Sequence, residues 1–370
     1  MVRVLYIVST LKRSGPTNVL FNLIAELDRD KFEPIILTLS PEETKAASSK
    51  DIFLKIGVKI HSLHLSRLQG FLYAKKKMRE FVNDHNIGII HLMGFRGDLL
   101  INHRDFKRVK IISTINSNIY DDYTMLYGKI KGTIMSYLHI RSLKGKTGIA
   151  CSQFVAHKLH DRYNISLKVI YNGIPKNEYN ITSAGEAIPI AKQLNLDVTK
   201  KIFIFIGSLI YRKDPITIIK AFLNSKRIGD CHLLLIGDGP LMAECKYLCR
   251  DHMDKVTFFG NQPETLKFLK AANYYVASSL SEGLPTSVME AMGCGLPVIL
   301  SDIDPHKELL NHLNGWPYTF AVSRPDILTE KIDDILDDDY KNLSIGCRKV
   351  IDDYINSEIM AQNYQRLYEE

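Results

Sequence analysis

The sequence predicts an α/β protein made of two doubly wound domains, each built on a parallel sheet. Three observations carry that expectation. The chain has 370 residues, enough for two domains of ordinary size. Short β-branched apolar runs punctuate both halves, and they are apolar nearly throughout rather than alternating, as strands covered on both faces must be. Helical stretches separate these runs, the pattern that produces parallel sheets.

In chain order, VRVLYIVS supplies the first strand, and the turn Ser14-Gly15-Pro16-Thr17-Asn18 opens a helix over Val19–Leu27. PIILTL, VKIHSL, IGIIHL, VKIISTI and GIACS follow as strands. Asn172-Gly173-Ile174-Pro175 is a turn signal, and the polar stretch after it marks a domain boundary. The second half repeats the alternation with IFIFIG, HLLLIG, KVTFFG, YYVAS and PVILS. The tail Asp352–Glu370 reads as one helix, with Tyr354, Ile355, Ile359, Tyr364 and Leu367 as its apolar positions. Domains are therefore expected over residues 1–178 and 179–353.

Composition narrows the class. A chain 45% apolar and 24% charged is globular in type. Six cysteines are scattered without metal-ligand spacing, which fits buried reduced thiols in a cytoplasmic protein. The opening MVRVLYIVSTL is interrupted by Arg3 and lacks a cleavage site, so it reads as a strand and not as a signal peptide. No apolar run is long enough to span a membrane. Charge is uneven: residues 1–180 carry a net +13 and residues 181–370 a net −6. A basic half suits an anionic partner such as phospholipid or a polyprenyl diphosphate. Nucleic acid is disfavoured, because no recognition motif accompanies the charge.

The richest segment is EGLPTSVMEAMGCGLPVILSD. From Gly283 to Ser301 its one charged residue is Glu290, set among Val288, Met289, Ala291 and Met292. A helix without a polar stripe is mostly buried, and a buried carboxylate needs hydrogen-bond partners. Pro285 fits the first helical turn, leaving the amides of Thr286 and Ser287 at a free N-terminus that favours phosphate. Glu282 falls in the loop before it. The two carboxylates are placed to hold hydroxyl groups, those of a ribose and of a sugar.

Three further loops follow strand ends. Gly207-Ser208-Leu209-Ile210-Tyr211-Arg212-Lys213-Asp214-Pro215 joins a glycine to adjacent cations and a helix start, which suits a diphosphate. Gly237-Asp238-Gly239-Pro240 permits a tight turn and close approach of a ligand. The turn around Gly15 presents backbone N–H groups, without the three spaced glycines of a dinucleotide fingerprint.

This constellation resembles the retaining glycosyltransferases of family 4. The resemblance rests on the Glu, seven residues, Glu pattern of Glu282 and Glu290, followed by GLPVILSD, and on GSLIYRKDP, LLLIGDGP, VTFFGNQ, VIYNGI and SGPTNVLFNLI in that order. It covers nearly the whole chain. It implies the GT-B fold, two facing Rossmann-like domains with a cleft between them, and a last helix over Tyr354–Glu370 that returns to the first domain.

The resemblance also implies roles. Glu290 would bind the ribose of a nucleotide sugar and Glu282 the transferred sugar. Gly283, Leu284, Thr286 and Ser287 would hold sugar and distal phosphate through their amides. Arg212 and Lys213 would neutralise the departing diphosphate beside Gly207, Gly237 and Gly239. Gln262 would lie at the base edge, and Gly15 would let the first domain close over the diphosphate. The family often has an arginine where this chain has Ser208, and a histidine where it has Asn116, which cannot titrate near neutral pH. No cofactor or metal is required, the nucleotide sugar being a co-substrate, with UDP favoured. The acceptor would be a saccharide or a polyprenyl-diphosphate-linked saccharide in cell-surface polysaccharide synthesis, such as capsule or lipopolysaccharide.

The acceptor and an anionic inner-leaflet membrane are expected at the basic first domain. Its basic surface includes Lys75, Lys76, Lys77 and Arg79, then Arg104, Lys107, Arg108 and Lys110, then Lys129 and Lys131; Leu68, Phe71, Leu72 and Tyr73 lie just before the first cluster, a mix suited to an interfacial helix. His91 reads as a satisfied residue at a strand end. Two rivals stay open: a catalytically weakened partner subunit, motivated by Asn116, and another nucleotide-sugar enzyme such as an epimerase.

Overall fold

In the computed structural model the described residues are 1–41, 48–313 and 315–370, and the chain divides into two compact units. The first comprises Met1–Gly173 with Ser357–Glu370, and the second Ile174–Asn356. The side chains of Leu68 and Phe71 lie outside the described residues.

The first unit runs β1 (Val2–Val8), α1 (Gly15–Ala25), β2 (Phe32–Thr38), α2 (Lys50–Lys55), β3 (Lys59–Ser62), α3 (Arg67–Asp84), β4 (Ile89–Leu92), α4 (Phe95–Leu100), β5 (Lys110–Ile115), α5 (Ile119–Tyr127), α6 (Lys129–Ser142), β6 (Thr147–Ala150), α7 (Gln153–Tyr163) and β7 (Lys168–Val169). Among the described residues its strands lie in the order β3-β2-β1-β4-β5-β6-β7, all parallel. Both faces are covered, which is why β1 does not alternate. Val4 and Tyr6 enter one core with Leu20, Leu23 and Ile36, while Leu5 and Ile7 enter another with Ile35, Leu37 and Ile90.

The helix α1 begins at Gly15, earlier than the sequence suggests. The Ser14 hydroxyl accepts from the Thr17 N–H and caps it, so Gly15 and Pro16 form its first turn.

The second unit runs α8 (Ala184–Gln193), β8 (Lys201–Ile206), α9 (Pro215–Leu223), β9 (Cys231–Ile236), α10 (Met242–Leu248), β10 (Val256–Gly260), α11 (Leu266–Ala271), β11 (Tyr274–Ala277), α12 (Thr286–Gly293), β12 (Val298–Ser301), α13 (Asp304–Leu310), β13 (Thr319–Phe320), α14 (Pro325–Ile335) and α15 (Tyr340–Asp353). Its described strands lie in the order β10-β9-β8-β11-β12-β13, again parallel. The order reverses between β8 and β11, so the helices that follow them, α9 and α12, go to opposite faces of the sheet. Such a switch point is where open α/β sheets bind ligands.

The tail is not one helix. The helix α15 ends at Asp353, and α16 (Ser357–Glu369) starts afresh. The Asn356 side chain donates to the carbonyls of Ile351 and Asp352 and closes the first helix, and Tyr354 is exposed. Met360, Ala361, Tyr364, Leu367 and Tyr368 of α16 pack into the first unit's core. The Tyr368 hydroxyl meets Tyr6 at 3.0 Å and His91 Nδ1 at 2.7 Å. Thr114 joins His91 Nε2 to the Tyr364 hydroxyl, at 2.7 and 2.8 Å. Burial holds the His91 pKa down at about 3, so this imidazole is a neutral structural link. All six cysteines are buried free thiols.

Candidate active site

The site is built where the loops after β8 and β11 meet. Arg212 and Lys213 sit in a 3-10 turn (Tyr211–Lys213) that hands over to α9, with Asp214 capping Thr217. The second loop is tied directly onto this turn. The Ser278 hydroxyl donates to the carbonyls of Lys213 and Asp214, and the Leu280 N–H donates to the Arg212 carbonyl at 2.8 Å. These bonds leave the two cations against Glu282.

Glu282 is buried, and both its oxygens are engaged. Arg212 Nη1 donates to Oε2 at 2.9 Å and to the Ser281 carbonyl at 2.7 Å. Lys213 Nζ lies 2.5 Å from Oε1, and the Ser279 hydroxyl donates to the same oxygen at 2.7 Å. Burial alone would raise the carboxyl pKa, but Lys213 and then Arg212 outweigh it and hold the group at about 2. Glu282 is therefore an anion at every physiological pH and not a proton donor.

The following helix has an open start. In α12 the residue Pro285 stands at the cap position with no side-chain cap bond, so the first amides are free of intrahelical partners. The buried Tyr275 of β11 donates to Ser287 Oγ at 2.9 Å and lies 3.3 Å from the Ile206 carbonyl, which fixes this terminus to the end of β8.

Glu290 lies one turn further in, about 6 Å along the axis. It is half-buried and linked to the Tyr179 hydroxyl. Burial raises its pKa, Tyr179 opposes the rise and Glu178 adds to it, and the result is about 7. Two carboxylates eight positions apart thus titrate far apart because Lys213 and Arg212 outweigh burial at one, while burial prevails at the other. Tyr179 is itself placed from outside the motif. Arg348 of α15 donates to the carbonyls of Tyr179, Gly293 (2.8 Å) and Lys176 (3.0 Å), clamping the entering segment against α12.

Gly237 and Gly239 permit a close approach of protein to protein. Gly237 has φ +135°, and a Cβ on it would lie 1.9 Å from the Gly207 carbonyl oxygen. A Cβ on Gly239 would lie 2.4 Å from the Leu209 carbonyl oxygen. These two glycines seat the loop that carries Arg212 and Lys213. Gln262 folds its amide back onto the Phe259 carbonyl at 2.8 Å.

Gly15 and Asn116 belong to the first unit. Asn116 Oδ1 accepts from the buried Asn172 amide at 3.2 Å. Among the described residues no three His, Cys, Asp or Glu side chains converge as a metal site.

Tyr179, Tyr275, His306 and Arg348 are absent from the site residues that sequence reasoning selects. His306 is fully buried, and its Nδ1 donates to the Ser301 carbonyl at 2.9 Å. Its Nε2 has no partner among the described residues. Burial lowers its pKa to about 4, and it feels the charges of Glu282 and Lys213.

Two family models match successive parts of the chain: Glycosyltransferase Family 4 over residues 13–178 and Glycosyl transferases group 1 over residues 188–349. The chain belongs to these glycosyltransferases. The uncharacterized glycosyltransferase MJ1059 of Methanocaldococcus jannaschii is 31% identical over 49% of this chain, a match spanning 41% of that relative's own length. The O-antigen biosynthesis glycosyltransferase WclY of Escherichia coli is 25% identical over 99% of this chain and 98% of its own. Among solved structures, Anabaena Alr3699/HepE in complex with UDP and glucose superposes with a TM-score of 0.81 at 17% identity, covering 100% of both chains. Family membership and this likeness give the fold its name, GT-B.

Proposed function

We propose that the chain is a retaining glycosyltransferase. It moves a sugar from a UDP-sugar to a saccharide or lipid-linked acceptor in the synthesis of a cell-surface polysaccharide. One observation carries the reading: Arg212 and Lys213 converge on Glu282 beside the uncapped start of α12, with Glu290 one turn inside it. Two cations and free amides suit a diphosphate, and a carboxylate without a cation suits paired ribose hydroxyls. WclY and HepE support the substrate classes by likeness.

In this reading Glu290 accepts from the ribose hydroxyls. The amides of Gly283, Leu284, Thr286 and Ser287 hold the sugar and the distal phosphate. As the bond from the sugar carbon to the phosphate oxygen breaks, Arg212, Lys213 and the helix amides take up the charge on the diphosphate. The acceptor hydroxyl attacks from the same face, and a phosphate oxygen takes its proton. Glu282 touches the sugar and stays ionised. Asn116 is assigned to the acceptor, and no metal is needed.

The test is a panel of nucleotide sugars, read by melting shift and release of nucleoside diphosphate, with Glu290→Ala alongside. A donor should raise the melting temperature of the native chain and not that of the variant. A shift without turnover would favour the partner-subunit reading that Asn116 motivates. No shift with any donor would sink the proposal.

A further inference from the structure

Glu282 is gripped from two sides, and only one of them is charged. On one side Arg212 and Lys213 pair with it. On the other a line of neutral groups runs from the carboxylate into the sheet. The Ser279 hydroxyl donates to Glu282 Oε1 at 2.7 Å. The Ser301 hydroxyl, at the end of β12, donates to the Ser279 carbonyl at 2.7 Å. A hydroxyl has one proton, so Ser301 Oγ can only accept from any further group. That group is His306 of α13, whose Nδ1 lies 3.1 Å from Ser301 Oγ and 2.9 Å from the Ser301 carbonyl. A carbonyl oxygen accepts, so Nδ1 carries the ring proton and Nε2 is a bare acceptor. Burial holds the ring pKa down at about 4, which keeps it neutral and in this tautomer near neutral pH.

This histidine is a poor choice as mere filling. Ser279, Ser301 and His306 are each 1% exposed or less, and Nε2 has no partner among the described residues. A buried unpaired acceptor is a cost that a leucine there would avoid. What the imidazole adds is the Nδ1–H, and the line that begins with it ends on Glu282. The ring is also near enough to feel the charges of Glu282 and Lys213. The other ties of this loop all run to the cation turn, from Ser278 to the Lys213 and Asp214 carbonyls and from the Leu280 N–H to the Arg212 carbonyl. In the proposed function a diphosphate draws the cations off the carboxylate. Held by cations alone, Glu282 would lose its place at that moment. A line without net charge offers the incoming anion nothing to compete for, so it is the hold that stays.

We propose that His306 is a positioning residue for the transfer: through Ser301 and Ser279 it keeps Glu282 Oε1 at the transferred sugar while Arg212 and Lys213 turn to the diphosphate. This role rests on the donor-site reading. It gives His306 no contact with substrate and no proton to move.

The experiment is steady-state kinetics of Ser279→Ala, Ser301→Ala, His306→Leu and His306→Asn, with the UDP-sugar that the native chain turns over and with rates referred to folded protein by thermal melt. Ser279→Ala removes a bond to a charged group, so kcat should fall at least about tenfold. Ser301→Ala and His306→Leu remove neutral bonds and should each cost about fivefold in kcat. The donor KM should move less than about twofold, since Glu290 and the α12 amides still hold the nucleotide. Asparagine carries an N–H as many bonds from its Cα as Nδ1, whereas leucine fills the space better. His306→Asn should therefore keep a higher kcat than His306→Leu, a ranking opposite to the one packing alone would give. Added to Ser279→Ala, neither His306→Leu nor Ser301→Ala should cost more, because the line is already cut. If His306→Leu does not fold, the two serine variants carry the test. Nitrogen NMR of the ring should show Nδ1 protonated and Nε2 bare. Native kcat in folded His306→Leu or Ser301→Ala, Leu ranking above Asn, additive losses, or the opposite tautomer would overturn this role and leave the donor reading standing. No turnover by the native chain with any donor would remove the reaction itself, and this role with it.

Discussion

Acidifying the solution should weaken donor binding through Glu290, and Glu290→Gln should remove that dependence. The carboxyl has a pKa of about 7 in the folded chain, and in the proposed function only the ionised form would accept from both ribose hydroxyls. Between about pH 8 and about pH 6 its ionised fraction falls from about nine-tenths to about one-tenth. The Kd for a UDP-sugar should rise about ninefold over that range, or about 1.3 kcal/mol. The diphosphate, esterified at both ends, keeps its charge throughout. Calorimetric titration in buffers of different ionisation enthalpy should show release of close to one proton at the acid end. Stability runs the other way. A carboxyl raised from 4.5 to about 7 by folding lets the native state hold the proton more tightly, so stability is lost as pH rises through that window. The cost above neutrality is at most about 3 kcal/mol, less for a half-buried group. Glu290→Gln should therefore melt higher than the native chain at alkaline pH and equally near the acid end. A flat Kd in the native chain, or a slope retained by the Gln variant, would refute the reasoning.

Tyr179→Phe removes the hydroxyl that lowers the Glu290 pKa, so the midpoint of the donor-binding profile should move to higher pH in the same titration. Lys213→Met leaves the buried Glu282 with one cation and should cost about 3 kcal/mol in denaturant unfolding. Folding depresses Glu282 from 4.5 to about 2, so its stabilisation is present above 4.5 and lost as pH falls towards 2, a loss that Glu282→Gln should flatten. Gly237→Ala should yield insoluble chain, because the added Cβ meets the Gly207 carbonyl, whereas Gly57→Ala, at φ +76° with nothing within 4 Å, should cost only about 1 kcal/mol. Tyr368→Phe leaves His91 Nδ1 and the Tyr6 hydroxyl without their shared partner and should cost about 1–3 kcal/mol by thermal melt.

Both sheets and most of their strands were legible because parallel strands covered on two faces leave uninterrupted apolar runs. The strands β7 and β13 were missed, since two residues each leave no run to see. The carboxylate-bearing helix was legible because Glu290 is isolated in apolar sequence. Its supports were not. Tyr179, Tyr275, His306 and Arg348 are scattered over 170 positions, and only the fold brings their polar atoms to the switch point. The break at Asn356 was hidden because Tyr354 and Ile355 continue the helical spacing of α16 backwards. The run of lysines in α3 reads in sequence as an open basic face, whereas Lys75 and Arg79 pair with Asp105 and Lys76 faces Glu80.

Glu282 has a role that begins before any substrate arrives. Two cations on adjacent residues repel, and assembling them at a buried loop is ordinarily a cost that a ligand must meet. Here a resident carboxylate acts as their counter-ion from the moment the loop folds. In the proposed function a diphosphate would enter by exchange, drawing Arg212 and Lys213 outward from one anion to another. On its departure the cations would fall back on Glu282, as they are found here, and the empty loop would keep its shape. The chain would then carry its own placeholder for the leaving group, and each turnover would end with the site already reset.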